Sequence, residues 1–225
     1  MLVDIDPQGT SGASLGIEIW KLETQLKDVL QSETTSERKQ RLKQAIVPVC
    51  DNRVDVLPSN ILLAVEELQI SGLPGRENLL KRLLAEIDAE YDFILIDCPP
   101  NIGVFSINAL KASDGVIVPV DMSYVGLLGV QGVEYAFNLV KNFLDHDVKL
   151  LGVLATKFDG RQKIGKDVLV YLQEHFKEDM FKVIIPTTVR ISEAPSFGVS
   201  IFDHDPKGTG SEAYKELINE MLKRL

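Results

Sequence analysis

The sequence predicts an α/β fold: a doubly wound, mostly parallel sheet with helices flanking both faces. Three observations carry that expectation. Short β-branched and aliphatic runs alternate with helical stretches from end to end. The runs are uniformly apolar, as strands covered on both faces require. Acidic residues and prolines follow two of the clearest runs, where an open parallel sheet presents its ligand-binding edge.

The elements follow in order. Leu2-Val3-Asp4-Ile5 reads as the opening strand, Val54-Asp55-Val56-Leu57 as a second, and Phe93-Ile94-Leu95-Ile96 as a third, ending at Asp97. Residues 115–120, 150–155 and 181–185 complete the set. Between them, 77–87 carries Leu79, Leu80, Leu83, Leu84 and Ile87 on one face at the 3.6-residue period. Residues 125–144 and 165–176 read likewise, and 211–225 closes the chain as a helix with Ser211 as its N-cap. The charge-mixed stretch 21–44 reads as a solvated helix without chemistry. Strand-helix alternation of this kind implies right-handed crossovers.

At 225 residues the chain suits one sizeable α/β domain, 1–225. Its 45% hydrophobic and 25% charged residues are those of an ordinary soluble protein. No apolar run approaches the roughly 20 residues that span a bilayer, and no secretory leader is visible. Cys50 and Cys98 form no disulfide framework and no cysteine-rich metal site, so a reducing, cytoplasmic home is the default. A net charge of −9 excludes a broadly basic surface, though not a local nucleic-acid patch.

The chemistry is expected just beyond the strands. Asp4, Asp6, Pro7, Gln8 and Gly9 mark the end of the first strand; Asp97, Cys98, Pro99 and Pro100 follow the third. Three carboxylates at neighbouring strand ends suit a cation and its waters, and magnesium accepts such an edge when a phosphate shares the metal. Asp4 or Asp97 alone could equally cap a loop; together, on paired strands, they point to function. His146, His175 and His204 have no metal-ligand spacing, and Cys98, with no base nearby, reads as a small, mostly buried thiol.

Residues 2–9, Leu-Val-Asp-Ile-Asp-Pro-Gln-Gly, resemble the switch I strand of the ParA/Soj partition ATPases, relatives of MinD with a deviant Walker A loop. Residues 93–100, Phe-Ile-Leu-Ile-Asp-Cys-Pro-Pro, resemble their Walker B and switch II segment, and 189–198, Val-Arg-Ile-Ser-Glu-Ala-Pro-Ser-Phe-Gly, a signature near their C-terminus. Asp205-Pro206-Lys207 and Glu212-Ala213-Tyr214 continue the likeness. The resemblance implies a P-loop NTPase-like fold, ATP and Mg2+ as ligands, and ATP hydrolysis. It further implies an ATP-bound homodimer on non-specific DNA and stimulation by a ParB-like partner, in a cytoplasmic, nucleoid-associated protein without a membrane anchor. Residue by residue, Asp6 would position the attacking water, and Asp97 would hold a magnesium-bound water with Asp4 in support. Thr156 and Pro186 would lie beside the adenine, and Arg190 and Lys207 would contact DNA. The switch logic is coherent: phosphates and magnesium favour one conformation, and hydrolysis removes that bias.

The family's first strand and its Lys-Gly-Gly-x-Gly-Lys-Thr-Thr loop have no counterpart in this sequence, so about 30 residues of strand, loop and helix are expected to be missing before Met1. Without that phosphate cradle, Asp4, Asp6 and Asp97 would repel a polyphosphate, and ATP and Mg2+ are expected to bind weakly, with little or no turnover by the chain alone. An unprotected sheet edge is also expected. Residues 160–167 fit G-x-x-x-x-G-K, but Asp167 stands where a metal-binding hydroxyl belongs, and the match reads as coincidence. Thr187, Thr188 and Thr209 replace residues often basic or polar in the family, which predicts a shallower salt dependence of DNA binding. Arg190 could equally serve only as an ion-pair partner for Glu193. Two alternatives stay open: a non-hydrolysing partner of a full-length ATPase system, and a MinD-like regulator of division-site placement.

Overall fold

A computed structural model describes Met1 to Leu225, the side chain of Phe143 excepted. The chain divides into two compact units, Met1–Ser113 with Pro195–Ser200, and Asp114–Ala194 with Ile201–Leu225.

In unit 1, strand β1 (Leu2–Asp4) leads into helix α1 (Thr10–Ser14), followed by α2 (Leu26–Leu30), α3 (Thr35–Ala45) and strands β2 (Val47–Val49) and β3 (Val54–Leu57). Helices α4 (Leu62–Ile70) and α5 (Leu79–Leu84), strand β4 (Leu95–Asp97) and helix α6 (Val104–Ala112) complete it. The sheet order is β2-β3-β1-β4; β1 is parallel to both neighbours and β2 is antiparallel. Alternation along the strands divides the apolar residues between two faces. Val3 and Leu57 pack with Leu26, Leu63, Leu83 and Phe105, whereas Val56 and Leu2 pack with Ile17 and Ile19.

Unit 2 contains β5 (Gly115–Asp121), α7 (Tyr124–Phe143), β6 (Lys149–Phe158), α8 (Lys163–Phe176) and β7 (Met180–Pro186), then α9 (Val189–Glu193), α10 (Ile201–His204) and α11 (Thr209–Met221). Its sheet, β5-β6-β7, is wholly parallel. Along β6, Val153 and Ala155 pack with Val168, Leu172 and Phe176 of α8, while Leu154 packs with Phe181, Ile185 and Leu217 on the other face. Helices therefore cover both faces of this sheet, as a doubly wound arrangement requires. The last turn is fastened by Arg224, whose guanidinium donates to the carbonyls of Leu151 (2.9 Å), Asp179 (3.2 Å) and Met180 (2.8 Å) and to Glu220 (2.7 Å), and lies 4.2 Å from the Phe181 ring centre.

Several expectations need correction. The third strand is Leu95–Asp97 rather than 93–96, because β1 offers β4 a pairing partner only over Leu2–Asp4, and Met1 takes up Phe93 and Leu95 beyond it. Leu95 is 58% exposed, and among the described residues β4 is paired on its β1 side only. The stretch 21–44 is broken into α2 and α3, and it is not simply solvated: Leu26, Val29 and Leu42 are fully buried. Ser211 is not an N-cap. Gly208 occupies that position, and the buried Ser211 hydroxyl donates to the carbonyls of Ile201 and Asp205 from inside α11.

The segment 195–200 belongs to unit 1 through a backbone approach near α1. Gly16 and Gly198 both hold positive φ, +82° and +67°, and a Cβ on Gly198 would stand 2.9 Å from the Gly16 Cα. Only glycine supports that conformation at that separation.

Candidate functional site

Parallel pairing of β1 with β4 places Asp4 directly opposite Asp97 at the carboxyl end of both strands. Asp4 is fully buried and is held by two backbone donors: the Asp6 N–H to Oδ1 (3.0 Å) and the Ser11 N–H to Oδ2 (3.1 Å). Burial raises its carboxyl to about 6; these N–H groups and Ser59 oppose the rise, and the neighbouring Asp97 adds to it. With both oxygens engaged by backbone, Asp4 ties β1 to the first turn of α1.

Asp6 begins a tight turn in which its Oδ1 accepts the Gln8 N–H (2.9 Å) and its carbonyl accepts the Gly9 N–H (3.0 Å). The Ser59 hydroxyl also donates to that carbonyl. Gly9 closes the turn at φ +63°, where a Cβ would lie 2.5 Å from the Ser59 carbonyl oxygen. Asp97 is half-buried; its Oδ2 accepts the Ser11 hydroxyl, and its Oδ1 takes no hydrogen bond among the described residues.

The three acids do not form a metal cage: among the described residues, no group of three His, Cys, Asp or Glu side chains comes together to hold an ion. Asp4 has both oxygens on backbone donors, whereas Asp6, with Oδ1 on the Gln8 N–H, and Asp97, with Oδ2 on the Ser11 hydroxyl, each keep one oxygen to offer. That donor set fits magnesium held chiefly by phosphate oxygens and water, with one or two carboxylate oxygens nearby, and not an all-protein site. Cys98 is exposed as a residue rather than mostly buried, but its thiol turns back toward the Ile96 carbonyl, 3.7 Å away. Desolvation of the sulfur, reinforced by Asp97 and Asp6, pushes the thiol up to about 12, so it stays protonated and is a poor nucleophile at neutral pH.

In unit 2, Thr156 and Pro186 lie near the carboxyl ends of adjacent parallel strands. Phe158 pairs with Pro186, and the Thr156 hydroxyl donates to the Val120 carbonyl (3.1 Å). Arg190 projects from α9 and pairs with Glu193 at 2.9 Å; Glu193 also lies 3.6 Å from His204. Thr188 caps α9 by accepting the Ile191 N–H (3.2 Å). Lys207 is exposed just before α11. Residues 160–167 run from a turn into α8, where Arg161 clasps Asp159 with two bonds of 3.0 and 2.9 Å. An anion there would face Asp159 and Asp167, so the segment makes a poor phosphate cradle. No helix among the described residues is long and apolar enough to cross a membrane.

Sequence reasoning missed Ser11 and Ser59. Ser11 lies 86 residues from Asp97 and Ser59 lies 53 from Asp6, so neither contact has a local signature. The only available signal was the run of small residues, Gly9-Thr10-Ser11-Gly12, after the acidic turn.

Comparison with known proteins gives a consistent picture. The family profile described as "AAA domain" matches residues 1–150. The "Sporulation initiation inhibitor protein Soj" of Bacillus subtilis (strain 168) is 38% identical over 221 residues, covering 98% of this chain and 85% of that protein. The "Chromosome partitioning protein ParA" of Myxococcus xanthus (strain DK1622) is 36% identical over 224 residues, covering 100% and 77%. Among solved structures, a Mycobacterium smegmatis protein titled cobyrinic acid a,c-diamide synthase, with bound ATP analogue and magnesium, superposes at a TM-score of 0.83 with 33% identity, covering 99% of this chain and 81% of that one. The fold is that of the α/β P-loop NTPases.

Proposed function

The chain belongs to the ParA/Soj family of chromosome-partitioning ATPases, and from that premise we propose that it serves DNA segregation through an ATP-dependent switch. The observation that carries the reading is the β1–β4 pairing, which brings the acidic turn at Asp6 beside Asp97 on one sheet edge.

In this reading residues 1–225 act as one nucleotide-binding domain. Asp6 accepts a hydrogen bond from the attacking water and orients it toward the terminal phosphate. Its backbone is fixed for that task by Ser59, Gly9 and Gln8. Asp97 would offer its unbonded oxygen to a water on the metal when one is bound, and Asp4 keeps the turn in register. Magnesium, when bound, supplies positive charge to the phosphate oxygens. Thr156 and Pro186 border the adenine. Arg190 and Lys207 contact DNA phosphates in an ATP-bound homodimer, and a ParB-like protein accelerates turnover. The chain resides in the cytoplasm on the nucleoid.

The test is MgATP turnover with and without duplex DNA and a ParB-like partner. It is run on this chain and on a version extended by a Gly-Lys-Thr phosphate loop, with Asp6→Ala in each. Turnover strongest in the extended form and abolished by Asp6→Ala supports the reading. If neither form binds ATP, or if Asp6→Ala leaves turnover intact, the reading fails. Arg190→Ala separately tests the DNA contact by its effect on binding.

A further inference from the structure

Ser11 touches both strand-end carboxylates at once. Its backbone N–H donates to Asp4 Oδ2 at 3.1 Å, and its hydroxyl donates to Asp97 Oδ2. The hydroxyl is not needed to start α1: that helix begins at Thr10 with Gly9 as its N-cap and no side-chain cap, and the Ser11 N–H is already satisfied by Asp4. Two carboxylates directly opposite each other repel, and a hydroxyl donating to one of them both relieves that repulsion and removes a rotational freedom of the acid. Because Ser11 occupies Oδ2, Oδ1 is the oxygen of Asp97 left without a donor among the described residues.

We propose that Ser11 is the positioning residue for Asp97, fixing which carboxylate oxygen is presented to a magnesium-bound water through the Ser11 Oγ–Asp97 Oδ2 hydrogen bond. The inference rests on the reading of Asp97 given under the proposed function and deepens it. Ser11 lies in the first turn of α1, directly after the acidic turn that bears Asp6, whereas Asp97 comes from a different strand; the hydroxyl therefore joins the segment following the water-orienting turn to the carboxylate on the metal side. Displacement of α1 would loosen Asp97 and Asp4 together, since one residue holds both.

The experiment uses Mn2+ as the probe, read by water-proton relaxation at saturating non-hydrolysable ATP analogue. It compares the wild-type chain with Ser11→Ala, Ser11→Thr and Asp97→Asn. Metal-free affinity for the analogue and circular dichroism are recorded for each. Loss of a hydrogen bond that orients a metal-side carboxylate costs roughly tenfold in metal affinity. The expected result is a loss of that order in Ser11→Ala, recovery to within about twofold in Ser11→Thr, which keeps the hydroxyl, and unchanged metal-free nucleotide affinity in both Ser11 variants. Ser11→Ala binding Mn2+ like the wild type overturns the proposal. Equal losses in the alanine and threonine variants, or a loss matched in the metal-free affinity, assign Ser11 a merely structural role and also overturn it. Wild type binding no better than Asp97→Asn overturns the reading of Asp97 and the role of Ser11 with it; that outcome is distinguishable because Asp97 fails first.

Discussion

Asp4 predicts an unusual dependence of stability on pH. Its carboxyl is raised from 3.8 to about 6, chiefly by burial, with the opposed carboxylate of Asp97 contributing. A shift of about two units corresponds to ~3 kcal/mol between the protonation states. The sign follows from the direction. Below about pH 4 Asp4 is protonated whether the chain is folded or not, and the group contributes its full stability. As pH rises toward 6 the unfolded chain ionises first, and that stability is lost; by pH 7.5 the folded form is poorer by ~3 kcal/mol from this residue. Asp4→Asn removes the titration while keeping the shape, so the wild type should lose ~3 kcal/mol relative to the variant between pH 4 and 7.5. Trp20, the single tryptophan, lies 71% exposed in unit 1 and reports on the part of the chain that holds Asp4. Urea unfolding followed by its fluorescence should show the gap between the two midpoints changing by about 1 to 3 M across that range. Parallel midpoint curves for wild type and Asp4→Asn would refute the assignment of a raised carboxyl to Asp4.

Three further outcomes are expected. Gly9→Ala places a Cβ 2.5 Å from the Ser59 carbonyl at φ +63°, which should cost about 2–4 kcal/mol in urea unfolding and displace Asp6, abolishing turnover in any form that shows it. Glu193→Gln frees Arg190 from its 2.9 Å partner and should raise duplex-DNA affinity by about two- to fivefold at low salt, an effect that fades as salt rises; anisotropy titrations would show it, and unchanged affinity would count against Arg190 as a DNA contact. Arg224→Lys loses the forked donors that hold three carbonyls and Glu220, and should lower stability by roughly 2–3 kcal/mol in thermal or urea melts of the whole chain.

The long apolar runs of the second half were legible because β5, β6 and β7 are covered on both faces and read as unbroken hydrophobic segments. Strand β2 was not, because Val47-Pro48-Val49 is three residues long and carries a proline at a sheet edge. Helix α4 escaped notice because its apolar residues point both ways: Leu63 and Ile70 are buried, while Val65 and Leu68 are exposed, so no single stripe marks the helix. The strand-end acids were legible from their place after apolar runs, and their proposed roles from the resemblance in residues 2–9 and 93–100. The geometry that separates them was not legible. That Asp4 is saturated by backbone donors, while Asp97 keeps an oxygen, depends on Ser11, and tertiary contacts over such separations leave no periodic trace.

The contact between Gly16 and Gly198 bears on how the polypeptide matures. Unit 1 is synthesised in two portions, and its last piece, Pro195–Ser200, leaves the ribosome only after the whole of 114–194. The nascent first portion must therefore wait with its seat for that strap open while β5, β6 and β7 are made and arranged. Excising 1–113 as a separate fragment would leave the same seat vacant, and a short synthetic peptide spanning 195–200 is the natural reagent for filling it.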